Sequence, residues 1–79
     1  MAATARAVER AKKVGSAVKR LRRGLGLTQA GFAARYRIPL GTLRDWEQGR
    51  AAPDGTAWAY LLAISGDPEA VWRALGGAG

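Results

Sequence analysis

Residues 27–49, LTQAGFAARYRIPLGTLRDWEQG, decide how this chain is read. Phe32, Ala33 and Tyr36 fall on one stripe at helical spacing, and Leu43 and Trp46 form a second stripe three residues apart. Arg37, Ile38 and Pro39 lie between them. A proline disfavours the helical region for the residue before it, so the first helix is expected to stop before Ile38. Two helices this short cannot bury their stripes separately. They must fold against each other and against a third element.

That arrangement is a helix-turn-helix, and the segment resembles the phage repressor/Cro-like (XRE-type) family. Gln29 sits where the family's motif begins, and Ala33 where two closely crossing helices demand a small residue. Ile38, Leu43 and Trp46 match its buried positions, and Glu47 with Gly49 matches the E-x-G that closes the second helix. The segment LGTLRDWEQG, with Pro53 shortly after, is similar to the subgroup of small bacterial regulators and HigA-like antitoxins. The match covers 23 of 79 residues, and the flanking helices extend it over most of the chain. One position departs: the turn residue is usually Gly, where a positive φ costs little, and here it is Arg37. In that conformation a non-glycine residue costs about 1–2 kcal/mol, unless the turn has another geometry.

Working outward, Val14, Ala17, Val18 and Leu21 follow i, i+3, i+4, i+7 spacing and predict a first core helix ended by Gly24 and Gly26. Thr28 is the expected cap of the second helix. The third runs from Pro39 or Leu40 to Gln48 and ends at Gly49. Asp54 caps a fourth, whose buried stripe is read as Trp58, Leu61 and Leu62 and which Gly66 stops. Asp67-Pro68-Glu69 starts a short fifth helix made apolar by Val71, Trp72 and Leu75. The expected fold class is all-α, a five-helix repressor-like bundle around a central helix-turn-helix. Phe32, Ile38, Leu43, Trp46, Trp58 and Leu61 are expected in its core. Residues 1–13 read as a basic, frayed segment, 14–75 as the DNA-binding domain and 76–79 as a flexible tail.

Composition narrows the function classes. There is no Cys and no His, which removes disulfides, thiolate–imidazole metal sites, Cys nucleophiles and His bases. The six carboxylates are scattered among cap, dipole and ion-pair roles. No enzyme constellation is visible, and neither a metal nor a cofactor is expected. No apolar run approaches a membrane span. The N-terminus lacks the apolar core of a secretory signal; its Arg/Ala-rich, acid-poor composition fits a transit peptide or a bacterial basic protein. The expected location is cytoplasmic, nucleoid-associated when bound.

Charge is asymmetric. Residues 1–37 carry ten Lys/Arg against Glu9 alone, which is +9. Residues 38–79 carry three Arg against five acids, which is −2. By itself a basic half is a solvated face; beside a helix-turn-helix it supports a nucleic-acid partner.

In this fold the third helix lies in the major groove with its N-terminal residues at base edges. The resemblance implies Leu40, Gly41, Arg44 and Asp45 as base-contacting residues. Arg44 is suited to guanine O6 and N7, whereas Asp45 accepts from cytosine N4 or orients Arg44. Phosphate contacts are expected from Gln29 at a helix N-terminus and from Thr42, Gln48 and Arg50. The family also implies a structural Arg22–Glu47 pair.

The function expected is a sequence-specific transcriptional regulator of double-stranded DNA, a repressor acting as a homodimer through its C-terminal helix. Its Val71, Trp72 and Leu75 exceed what a short terminal helix buries alone, although packing back on the core is the competing reading. The alternative is an antitoxin that binds a small toxin protein and represses its own operon. A third class is a nonspecific cationic protein coating nucleic acid or a membrane surface; it fits the charge and leaves the ordered motif unexplained.

Overall fold

The computed structural model describes residues 2–77 and shows five helices, with no strand among those residues. They are α1 (Ala2–Gly24), α2 (Gln29–Tyr36), α3 (Leu40–Glu47), α4 (Gly55–Gly66) and α5 (Pro68–Ala74). Their order is the one read from the sequence.

The caps form where short polar side chains compete for first-turn N–H groups. Thr28 accepts from the Gly31 amide at 3.0 Å, Asp54 from Ala57 at 2.8 Å and Asp67 from Ala70 at 3.1 Å. Pro39 occupies the cap position of α3 and makes no side-chain cap bond. Gly49, at φ +73°, ends α3 in the left-handed region that favours glycine.

Arg37 takes the left-handed conformation, φ 57° and ψ 42°, so the turn keeps its ordinary geometry without glycine. The Arg37 amide donates to the Ala33 carbonyl, and its guanidinium donates to the Leu75 carbonyl at the end of α5. The arginine thus ties the turn to the last helix, which offsets part of its backbone cost. Arg37→Ala loses the tie and keeps the cost; Arg37→Gly loses the tie and relieves the cost. Thermal unfolding is expected to rank Arg37→Gly above Arg37→Ala by about 1 kcal/mol. Equal midpoints would show that the turn relaxes into another geometry.

The core gathers Val18, Phe32, Ala33, Tyr36, Ile38, Leu43, Trp46, Leu61 and Ile64. Phe32 and Tyr36 rings pack at 5.0 Å and 51°, a tilted arrangement that aromatic quadrupoles favour. Tyr36 donates to the Pro68 carbonyl at 3.1 Å, and Tyr60 donates to the Tyr36 carbonyl at 2.7 Å, linking α2, α4 and α5. Burial pushes the Tyr60 phenol up, the neighbouring Tyr36 adds to that, and Arg37 opposes it.

Three expectations change. Trp58 is not core: it is 38% exposed, and Leu62 is 55% exposed. The buried stripe of α4 is Ala57, Leu61 and Ile64, at i, i+4, i+7, with Ala57 half-covered. Trp58 and Leu62 lie one residue further round and line a shallow groove with Ala17 and Leu21 of α1.

Second, the N-terminal segment is continuous with the first core helix, α1 running unbroken through residues 13 and 14. Ala11 is buried, so the helix packs before the predicted start. Gly15 lies directly on the end of α3: a Cβ there would fall inside the Trp46 carbonyl oxygen's envelope and 3.1 Å from that of Glu47. Residues 5–10 are exposed, and α1 extends a molecule of 49 × 21 × 19 Å.

Third, Val71, Trp72 and Leu75 pack half-buried against the protein's own core. Arg35 lies over the Trp72 ring, 4.3 Å from its centroid. The surplus apolar surface inferred for α5 is therefore partly used within one chain. Of the tail, Gly76 and Gly77 donate to the Arg73 and Trp72 carbonyls at 3.0 and 2.9 Å, closing α5, while residues 78 and 79 lie outside the described range. No described helix is long and apolar enough to cross a membrane.

Candidate nucleic-acid interface

The site is built on α3. Its inward face holds Leu43, Trp46 and Glu47, all buried. The opposite face presents Gly41, Arg44, Asp45 and Gln48, spaced i, i+3, i+4, i+7, so one stripe of the helix is open along its whole length. Gly41, Arg44 and Gln48 are exposed, and Asp45 is half-exposed. Leu40 and Thr42 are only half-exposed, and Leu40 packs partly on the core, so it turns outward less than expected.

What anchors the inward face is a buried ion pair. The Arg22 guanidinium donates from Nε to one Glu47 carboxylate oxygen at 2.8 Å and from its terminal nitrogen to the other at 2.9 Å. Its second terminal nitrogen donates to the Leu27 carbonyl at 3.0 Å. The two-pronged geometry fits a planar guanidinium on a carboxylate. It locks α1, the α1–α2 connection and α3 together. Burial pushes the Glu47 carboxyl up, but the hydrogen bonds from Arg22 and Gln29, with the Arg22 and Lys19 charges, outweigh it and hold the group below the ordinary glutamate range. The bonds to Glu47 in turn raise Arg22 against the effect of burial.

Gln29 opens α2, and its side-chain amide donates to the same carboxylate at 3.1 Å. The glutamine is thus held between the two helices at the N-terminal end of α2, where backbone N–H groups and the helix dipole favour an anion.

Arg50 follows α3 in a turn whose Arg50 and Ala51 amides donate to the Asp45 carbonyl at 2.9 and 3.4 Å. Its guanidinium lies 3.9 Å from the Asp45 carboxylate. Both side chains are well exposed, so this contact has the small worth of a surface pair, about 0–1 kcal/mol. Asp45 is accordingly paired with Arg50 rather than with Arg44, and Arg44 has no ion-pair partner among the described residues.

Two basic residues beside this surface were absent from the expected site. Lys12 lies against Gly49, where a Cβ would be 3.1 Å from the Lys12 side chain. Lys19 is close enough for its charge to act on Glu47. Their seven-residue separation on one helix was the available signal; its meaning depends on which side of α1 meets α3.

A helix-turn-helix family model matches residues 18–61, more than half of the chain. A crystal structure of an XRE-family-like helix-turn-helix protein from Agrobacterium tumefaciens superposes with a TM-score of 0.73 at 62% identity. The match covers 73% of this chain and 94% of that one. No curated protein matches. The motif read from residues 27–49, the bundle around it and both similarities agree: the chain belongs to the XRE-type helix-turn-helix family of DNA-binding regulators.

Proposed function

We propose that the protein is a sequence-specific transcriptional regulator, a repressor that binds double-stranded DNA as a homodimer. The open Gly41–Arg44–Asp45–Gln48 stripe on a helix clamped from behind carries the reading. Leu40, Gly41, Arg44 and Asp45 form the base-contacting set, with Gly41 allowing close approach. Gln29, Thr42, Gln48 and Arg50 form the phosphate-contacting set. A free, exposed guanidinium at Arg44 is suited to guanine, and the Asp45–Arg50 contact is weak enough to part for a base and a phosphate.

Selection of bound sequences from random duplex DNA tests this reading. The wild type is expected to enrich one nearly palindromic site. Arg44→Ala is expected to weaken that binding by about 1–3 kcal/mol and to relax preference at one base pair per half-site. Arg50→Ala should weaken all sequences alike and lower the salt slope by about 0.9, one phosphate's worth. An unchanged ratio of specific to random binding in Arg44→Ala would remove that residue from the base-reading set.

A single module reads few base pairs, and a two-fold dimer supplies two half-sites about one helical turn apart. The proposed interface is the part of the α5 face left open, around Trp72 and Leu75. Trp72→Glu is expected to yield folded monomers in sedimentation, with specific affinity largely lost; a variant that unfolds would show that Trp72 serves the protein's own core instead. A variant that stays dimeric would move the interface elsewhere, and the Trp58–Leu62 groove is the next apolar surface to test.

A further inference from the structure

α1 carries a row of phosphate-capable side chains that the groove helix does not account for. Lys12, Ser16, Lys19 and Arg23 recur at i, i+4, i+7 and i+11, which places them within about 60° of one another around a helix of 3.6 residues per turn. Lys12, Ser16 and Arg23 are exposed and Lys19 half-exposed. Within these positions there is no acid; Glu9 precedes them.

The phase of the row is fixed by contacts on its flank. Gly15 and Arg22, next round the helix, meet the Trp46 and Glu47 end of α3. Lys12 lies on Gly49, immediately before Arg50. Lys19 acts on Glu47, which also holds Gln29. The row therefore borders the groove helix on the side that already carries Gln29 and Arg50. Lys13 and Arg20 lie about 60–100° further round, away from α3, and Arg10 lies toward Trp58 and Pro53.

We propose that the Lys12–Ser16–Lys19–Arg23 face of α1 is a second DNA-backbone surface, gripping phosphates beside those held by Gln29 and Arg50. This rests on the DNA-binding reading above and adds a contact outside the helix-turn-helix itself. The chemistry is charge complementarity. From Lys12 to Arg23 the row spans about 16 Å at 1.5 Å per residue, the reach of several phosphates spaced about 3.4 Å along the axis of one strand. Ammonium, hydroxyl and guanidinium groups all donate to phosphate oxygens. The row carries no base-reading geometry, so it raises affinity and salt dependence without choosing sequence.

The test compares two triple variants of equal charge change. Lys12→Gln/Lys19→Gln/Arg23→Gln removes the row; Arg10→Gln/Lys13→Gln/Arg20→Gln removes three cations from the other faces of α1. Affinities for the selected site and for a random duplex, each several turns long, are measured across a salt series. The row variant is expected to lose about tenfold or more on both duplexes and to lower the salt slope by about 2–3, with base preference unchanged. The other variant is expected to shift the slope by less than about 1. Lys12→Gln/Arg23→Gln, which leaves the surroundings of Glu47 intact, should give about two-thirds of the slope change if folding of the triple variant is impaired. Equal losses in the two triple variants would reduce the effect to overall charge and overturn the proposal. So would an unchanged slope in the row variant, or loss of anionic-vesicle binding with DNA binding intact. Wild-type protein that binds neither duplex overturns the DNA reading itself, and this surface with it.

Discussion

Glu47→Ala is expected to destabilise the domain by about 3–5 kcal/mol, because it leaves the buried Arg22 guanidinium without its carboxylate. The Arg22 side chain is 11% exposed and that of Glu47 1%, so water does little to replace the lost partner. Gln29 loses its acceptor in the same change. Against a typical total of about 5–15 kcal/mol this removes much of the margin. Replacing both partners, Arg22→Met with Glu47→Leu, should recover most of the loss, since neither charge remains buried. Chemical denaturation of the two variants beside the wild type checks this; a double variant no better than Glu47→Ala would show that the network's hydrogen bonds to Leu27 and Gln29 matter more than its charges. The pH dependence has a definite sign. The folded Glu47 carboxyl titrates below its unfolded value, so its stabilisation is complete above the ordinary glutamate pKa of about 4.3. It is lost as pH falls through the lowered folded value. Glu47→Gln should flatten that acid limb.

Gly15→Leu is expected to cost about 3 kcal/mol, although leucine is the better helix former by about 0.5–0.8 kcal/mol. The added side chain meets the Trp46 and Glu47 carbonyls, which are backbone and cannot rotate aside. α1 must then lift from α3, and the Arg22–Glu47 geometry suffers with it. Gly66→Ala is the contrast, since nothing lies within 4 Å of the new methyl. It should raise the melting temperature by an amount worth up to about 1 kcal/mol. If calorimetry finds Gly15→Leu neutral, the close seat of α1 on α3 is not what holds them.

What was legible in the sequence was local chemistry. Thr28, Asp54 and Asp67 announce helix starts because their side chains satisfy amides only three residues on. The stripes of α2 and α3 were legible because polar residues separate the apolar ones. In GTAWAYLLAISG they do not: α4 is apolar nearly all round, so its sequence carries no phase, and Trp58 could not be told from Ala57 or Leu61. The length of α1 was hidden because residues 5–10 bury nothing and leave only alanine's helix preference as a signal. The fate of Trp72 depended on Arg35, thirty-seven residues earlier, and no local pattern predicts that meeting. In the site, the outward stripe of α3 follows from knowing what is buried. The row on α1 has no direction until Gly15 and Arg22 show which flank meets α3.

On the DNA-binding reading proposed above, the seat of α1 on α3 also limits how the protein would meet different operators. A joint packed with long side chains has springs in it, since rotamers adjust and the angle yields. Here the closest contact of the joint is a glycine on a pair of carbonyls, which yields little, and the two-pronged Arg22–Glu47 pair beside it fixes the angle further. The inclination of α3 is then set once, when the chain folds, and would be the same at every site it met. Whatever accommodation an imperfect site demands must be supplied by the duplex, through bend, twist and groove width. Sequences that deform cheaply gain an advantage at positions no side chain touches.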